Sequence, residues 1–93
     1  MKNINLEKIR KKLDKIDVKL LQVIKERAML VDQVVKLKNS KKDVVDKKRI
    51  DFILQRIKQK SIKAKIDPMI TISIWKGMIA AFIKYEYKKL KEK

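Results

Sequence analysis

The sequence contains no cysteine and no histidine, one glycine, one proline and few aromatic residues in 93 positions. Without cysteine there is neither a disulfide framework nor a thiolate nucleophile, which fits a reducing compartment. Without histidine the commonest general base and metal ligand is missing. A single glycine leaves no room for a glycine-rich phosphate loop, and no metal-ligand spacing, strand alternation or internal repeat is present. No stretch approaches the roughly 18 apolar residues of a membrane span. The opening MKNINLEKIRKKLDKID lacks the apolar segment of a signal peptide. The expectation is a soluble, cytoplasmic protein forming a single domain over residues 1–93, with a core that is marginal unless shared.

Acidic residues are also scarce. Eleven stand against 27 basic ones, a formal charge of +16. Such a balance suits nucleic acid, an anionic membrane surface or small anionic substrates, and equally a merely solvated lysine face. Of the basic residues only Arg10, Arg27, Arg49 and Arg56 are arginine. Arginine presents a planar fork that grips a carboxylate or phosphate bidentately, which lysine cannot do. The placement of these four therefore carries more information than the total.

What the chain does have is apolar periodicity. Ile9, Leu13, Ile16, Leu20, Val23, Leu30, Val34 and Leu37 alternate steps of four and three, with Arg27 in the one slot of the series that is not apolar. Residues 6–38 therefore read as one amphipathic helix of roughly 33 residues, close to 50 Å long. That exceeds what a small domain can cover, so the seam calls for a second copy of the chain. A polar turn, Asn39-Ser40-Lys41-Lys42, follows. Asp43 or Asp46 then caps a second helix over about 44–61, with Ile50, Ile53, Leu54 and Ile57 as its stripe. After a connection at 62–66, Asp67 as N-cap and Pro68 at the first position open a third helix. It runs to about residue 90 and frays in the last three residues, with Ile74, Trp75, Met78, Ile79, Phe82 and Ile83 inward. Gly77 inside it costs about 1 kcal/mol against alanine, which suggests close packing on another helix. The predicted fold class is all-α: three helices with a long first one, in a homodimer.

The charged residues form a constellation on this frame. Arg27 and Lys38 are about three turns apart on one face, roughly 16 Å along the axis, and two such arms can hold a small dianion between them. Arg10 lies about 42 Å from Lys38 along the axis and reaches the same ligand only from an antiparallel partner. A guanidinium on a buried seam is expensive unless it is used. The plainer alternative for Arg27 is a structural ion pair with Asp17 or Asp32. Asp46 and Arg49 share the first turn of the second helix, near free N–H groups that favour anions. Glu86 continues the stripe of the third helix, four residues after Phe82; an acid near a helix end is more often simply exposed.

Arg10-x6-Asp17, Glu26-Arg27, Lys38 and Asp46-x2-Arg49, followed by two further helices, closely resemble the all-helical class of chorismate mutases over nearly the whole chain. The resemblance implies an intertwined all-α homodimer whose long first helices pair, with two equivalent sites built from both chains. It implies rearrangement of chorismate to prephenate, in the synthesis of phenylalanine and tyrosine, without cofactor or metal. In that arrangement Arg10 of the partner subunit and Arg27 clamp the substrate carboxylates, and Asp46 and Arg49 shape the entrance. Lys38 and Glu86 face the ether oxygen. Three positions depart from the family pattern: Ile50 stands where glutamate is usual, Phe82 replaces a serine, and Glu86 replaces glutamine. The first two also resemble the isochorismate-pyruvate lyase branch of the same fold, which makes that lyase the alternative reading. An alternative of another class is a basic helical dimer that binds nucleic acid. Scattered lysines, few aromatics and no reading motif speak for no nucleic-acid partner.

Overall fold

A computed structural model describes residues 2–38 and 40–92, with side chains for 5–38 and 40–91. Three helices carry the chain in the order expected: α1 over Lys2–Leu37, α2 over Lys47–Lys63 and α3 over Pro68–Glu92. The described residues contain no strand, and no helix among them is long and apolar enough to cross a membrane. Asn39 of the expected turn and Lys93 of the expected fray lie outside the described residues. The chain divides into two compact units, Met1–Leu30 and Val31–Lys93.

The first unit is the helical stretch of α1 up to Leu30, unbroken because nothing in it removes an N–H or favours a turn. Its apolar series is exposed in the single chain: Leu6 at 45%, Ile9 at 56%, Leu13 at 53%, Ile16 at 51% and Leu20 at 53%. Arg27 and Ala28, near its end, are half-buried.

The second unit holds the last turns of α1, a short 3-10 turn at Lys41–Asp43, and an antiparallel pair made by α2 and α3. The second helix starts at Lys47 rather than near 44. The Asp43 carboxylate accepts from the Ser40 N–H at 3.3 Å and stabilises the 3-10 turn, and Val44 behind it is buried at 4%. Asp46 is therefore the N-cap of α2, its Oδ1 accepting from the Arg49 N–H at 3.0 Å.

The turn between α2 and α3 follows from backbone capping. Lys65 adopts φ 60°, the Ile66 N–H donates to the Ser61 carbonyl at 3.0 Å and the Lys65 N–H to Ile62 at 3.2 Å. This is the left-handed stop that usually recruits glycine. Asp67 and Pro68 then start α3 as expected, with the Met69 N–H donating to Asp67 Oδ1 at 2.9 Å. Buried Ser61 ties the pair together, its hydroxyl 2.7 Å from that of Thr71 and also donating to the Ile57 carbonyl at 2.6 Å.

Ile50, Ile53, Leu54 and Ile57 are half-buried along α2 as expected. On α3, Trp75, Met78, Ile79, Phe82 and Ile83 are withdrawn from solvent, but Ile74 is 56% exposed. A Cβ built at Gly77 meets nothing within 4 Å, so among the described residues of the single chain no helix makes the expected close approach. Gly77→Ala is accordingly expected to raise stability by about 0.5–1 kcal/mol, through the lost backbone freedom of the unfolded chain. Urea unfolding checks this; a destabilised variant would reveal a second chain packed at that position.

Candidate active site

The end of α1 is held by its own backbone and by one buried side chain. The Lys38 N–H donates to the Val35 carbonyl at 3.1 Å, tightening the last turn, and Val35 is buried at 4%. That fixes where the Lys38 side chain leaves the helix. On α3, Ile79, Phe82, Ile83 and Glu86 follow the i, i+3, i+4, i+7 rule, so the carboxylate of Glu86 continues an apolar face.

These two placements meet. Lys38 Nζ donates to Glu86 Oε1 at 2.7 Å, and Glu86 is buried, with 8% of its surface exposed. The reading of Glu86 as a solvated acid near a helix end is therefore corrected. A charge-assisted bond of this length, largely out of water, is strong, and loss of either partner strands the other. Chemically the pair offers an ammonium with three donors beside a carboxyl group that donates only when protonated. Phe82, one turn before Glu86, supplies an aromatic wall on the same helix and is half-buried.

Asp46 and Arg49 meet through the main chain, in the capping bond at the start of α2. The guanidinium of Arg49 lies over the ring of Phe52, 5.5 Å from its centroid, a cation–π contact on an exposed helix face. Ile50, the next residue, is half-buried. Arg10 and Arg27 belong to the first unit, where Arg10 is exposed and Arg27 half-buried.

One polar contact beside the Lys38–Glu86 pair was not foreseen. The Tyr85 hydroxyl donates to Asp32 Oδ1 at 2.5 Å, joining α3 to the last turns of α1. Its partners are 53 positions apart. The only trace in the sequence is that Tyr85 and Glu86 both lie about one turn beyond Phe82, on the face that continues the apolar stripe.

The sequence model of the family described as "Chorismate mutase type II" matches residues 9–87. A protein named chorismate mutase from Methanocaldococcus jannaschii is 36% identical over 75 residues, which cover 80% of this chain and 76% of that relative. No solved structure matches the chain. The match from residue 9 to residue 87 spans all three helices and every charged position discussed above, and the chain belongs to the chorismate mutase type II family.

Proposed function

We propose that this chain, as one chorismate-mutase domain, converts chorismate to prephenate in the cytoplasm, with Lys38 and Glu86 as the polar centre of its site. The observation that carries this reading is the 2.7 Å bond between the end of α1 and α3, in a chain of this family. The reaction is an intramolecular rearrangement. One carbon–oxygen bond of the enol ether breaks as one carbon–carbon bond forms, in a single cyclic transition state, and nothing enters or leaves. A chain without cysteine or histidine lacks nothing that this chemistry requires.

Two tasks remain for the protein. It must hold a flexible dicarboxylate in its compact conformer, and it must stabilise negative charge growing on the ether oxygen. Arg27 and Arg10 of the partner subunit clamp the carboxylates, while Arg49 and Asp46 close the entrance. Lys38 and a protonated Glu86 donate to the ether oxygen. The lysine surplus is solvated surface that also draws a dianion inward.

The homodimer belongs to the same proposal. Among the described residues only Val35, Val44 and Ile79 are buried apolar side chains, while the series from Leu6 to Leu20 on α1 lies exposed. A second copy laid along that series completes the core and delivers Arg10. Sedimentation equilibrium at micromolar concentration is expected to give a dimer; a folded monomer would remove both the dimer and the shared site. Mixing Arg10→Ala with Arg27→Ala subunits is expected to restore about a quarter of wild-type activity. Half of the dimers are then mixed, and each of those has one intact and one doubly damaged site.

The direct test is incubation with chorismate and, separately, with isochorismate, with product identification by NMR. Prephenate from chorismate supports the proposal. Salicylate and pyruvate from isochorismate, with no prephenate, would replace it by the lyase.

A further inference from the structure

Phe82, Tyr85, Glu86 and Lys89 stand at i, i+3, i+4 and i+7 on α3, so they share one face of that helix. Tyr85 is braced there by three different contacts. Its hydroxyl donates to Asp32 at 2.5 Å, its ring meets that of Phe82 edge-on at 6.3 Å and 88°, and the ammonium of Lys89 lies 5.5 Å from its centroid. Asp32 lies on the last turns of α1, and Lys38, which holds Glu86, lies just beyond the end of that helix. Two polar links therefore join the same two elements, one through Tyr85 and one through its neighbour Glu86.

The links differ in what they are free to do. In the proposed reaction the Lys38–Glu86 bond rearranges, because both groups turn a donor to the ether oxygen. Asp32 and Tyr85 have no part in that chemistry, so their bond persists while the other rearranges. Side-chain tips ride about 5–6 Å from a helix axis. A rotation of α3 by about 20° therefore moves the Glu86 carboxyl by roughly 2 Å, enough to spoil a hydrogen bond that catalysis requires. A short bond from the adjacent residue to α1 opposes that rotation.

We propose that Tyr85, held by Asp32, is a positioning residue that sets the rotation of α3 and so aims Glu86 at the reacting ether oxygen. The inference rests on the reading of Glu86 given above, and its test separates the two. Tyr85→Phe keeps the ring and its contacts with Phe82 and Lys89 but loses the hydroxyl. It is expected to lower kcat for chorismate about tenfold and to leave KM within about twofold, at a temperature where circular dichroism shows the variant fully folded. Asp32→Leu is expected to match it. Asp32→Asn, whose amide oxygen still accepts from the hydroxyl, is expected to recover most of the loss. In a Glu86→Ala background Tyr85→Phe is expected to have no further effect, because the residue acts through Glu86.

A second measurement is independent of turnover. The coupling between Lys38→Met and Glu86→Gln in urea unfolding is expected with Tyr85 present and to be lost in Tyr85→Phe. A lowered melting temperature with unchanged kcat and unchanged coupling would show Tyr85 to be structural only and overturn the inference. A full tenfold loss persisting in the Glu86→Ala background would overturn it as well. A protein inert towards chorismate whose Lys38–Glu86 coupling still depends on Tyr85 would instead overturn the mutase reading, and would support Tyr85 as the residue that positions Glu86.

Discussion

Arg27→Lys is expected to lower kcat/KM for chorismate by roughly 30- to 1,000-fold, the equivalent of about 2–4 kcal/mol of transition-state binding. The substitution keeps one positive charge on nearly the same stem. It removes the planar fork, and with it the two parallel N–H bonds that fix a carboxylate in orientation as well as in place. Orientation is what this reaction needs, because the two ends of one molecule must be brought face to face. Arg27 occupies the apolar series of α1 and is half-buried, a costly location for a guanidinium that only decorates a surface. Lys58→Gln on the exposed face of α2 serves as the control, and its effect is expected to stay within about twofold, since scattered surface charge acts only on encounter. Steady-state kinetics on both variants checks the contrast. Near-normal turnover in Arg27→Lys would assign Arg27 to structure instead.

The helical frame was legible because local rules set it. Asp67 before Pro68 marks the start of α3, and Asp46, one of the two caps the sequence offers, the start of α2, through side-chain oxygens that take up free N–H groups of a first turn. The period of the apolar series reports α1 without any tertiary information. Where these rules were silent or ambiguous, expectation and structure part. Val44 falls within a stretch that reads as helix, yet a 3-10 turn intervenes and buries it. On α3 apolar residues stand on nearly every side at its start, Ile70, Ile72 and Ile74 among them, so periodicity alone does not choose the inward face; Ile74 is exposed and Ile72 half-buried. Gly77 sits in open space, because a glycine in a helix signals permission for a close approach and not the approach itself.

The site shows the same division. Positions of the charged residues along each helix were readable from spacing, and the resemblance supplied their roles. The burial of Glu86 was not readable, because it depends on Lys38, 48 positions away, and on the exit direction of a helix end tightened by one backbone bond. The bond from Tyr85 to Asp32 was missed for a similar reason, Asp32 having been read only as a possible ion-pair partner of Arg27: a hydrogen bond between elements has no period.

The remaining large effect concerns the proton on Glu86. Its carboxyl group accepts from Lys38 at 2.7 Å. An ionised carboxylate beside the ether oxygen repels the charge that grows there, whereas a protonated one donates to it. Glu86→Gln keeps the size of the group and always offers a donor, so its kcat is expected to equal or exceed that of the wild type. Glu86→Ala offers none and is expected to lower kcat by about 10²-fold. Lys38→Met removes the other donor and is expected to lower kcat by about 10²–10³-fold. Steady-state kinetics on the three variants decides the matter. A Glu86→Ala variant with the turnover of the wild type would exclude Glu86 as a donor and reduce the pair to a structural link between α1 and α3.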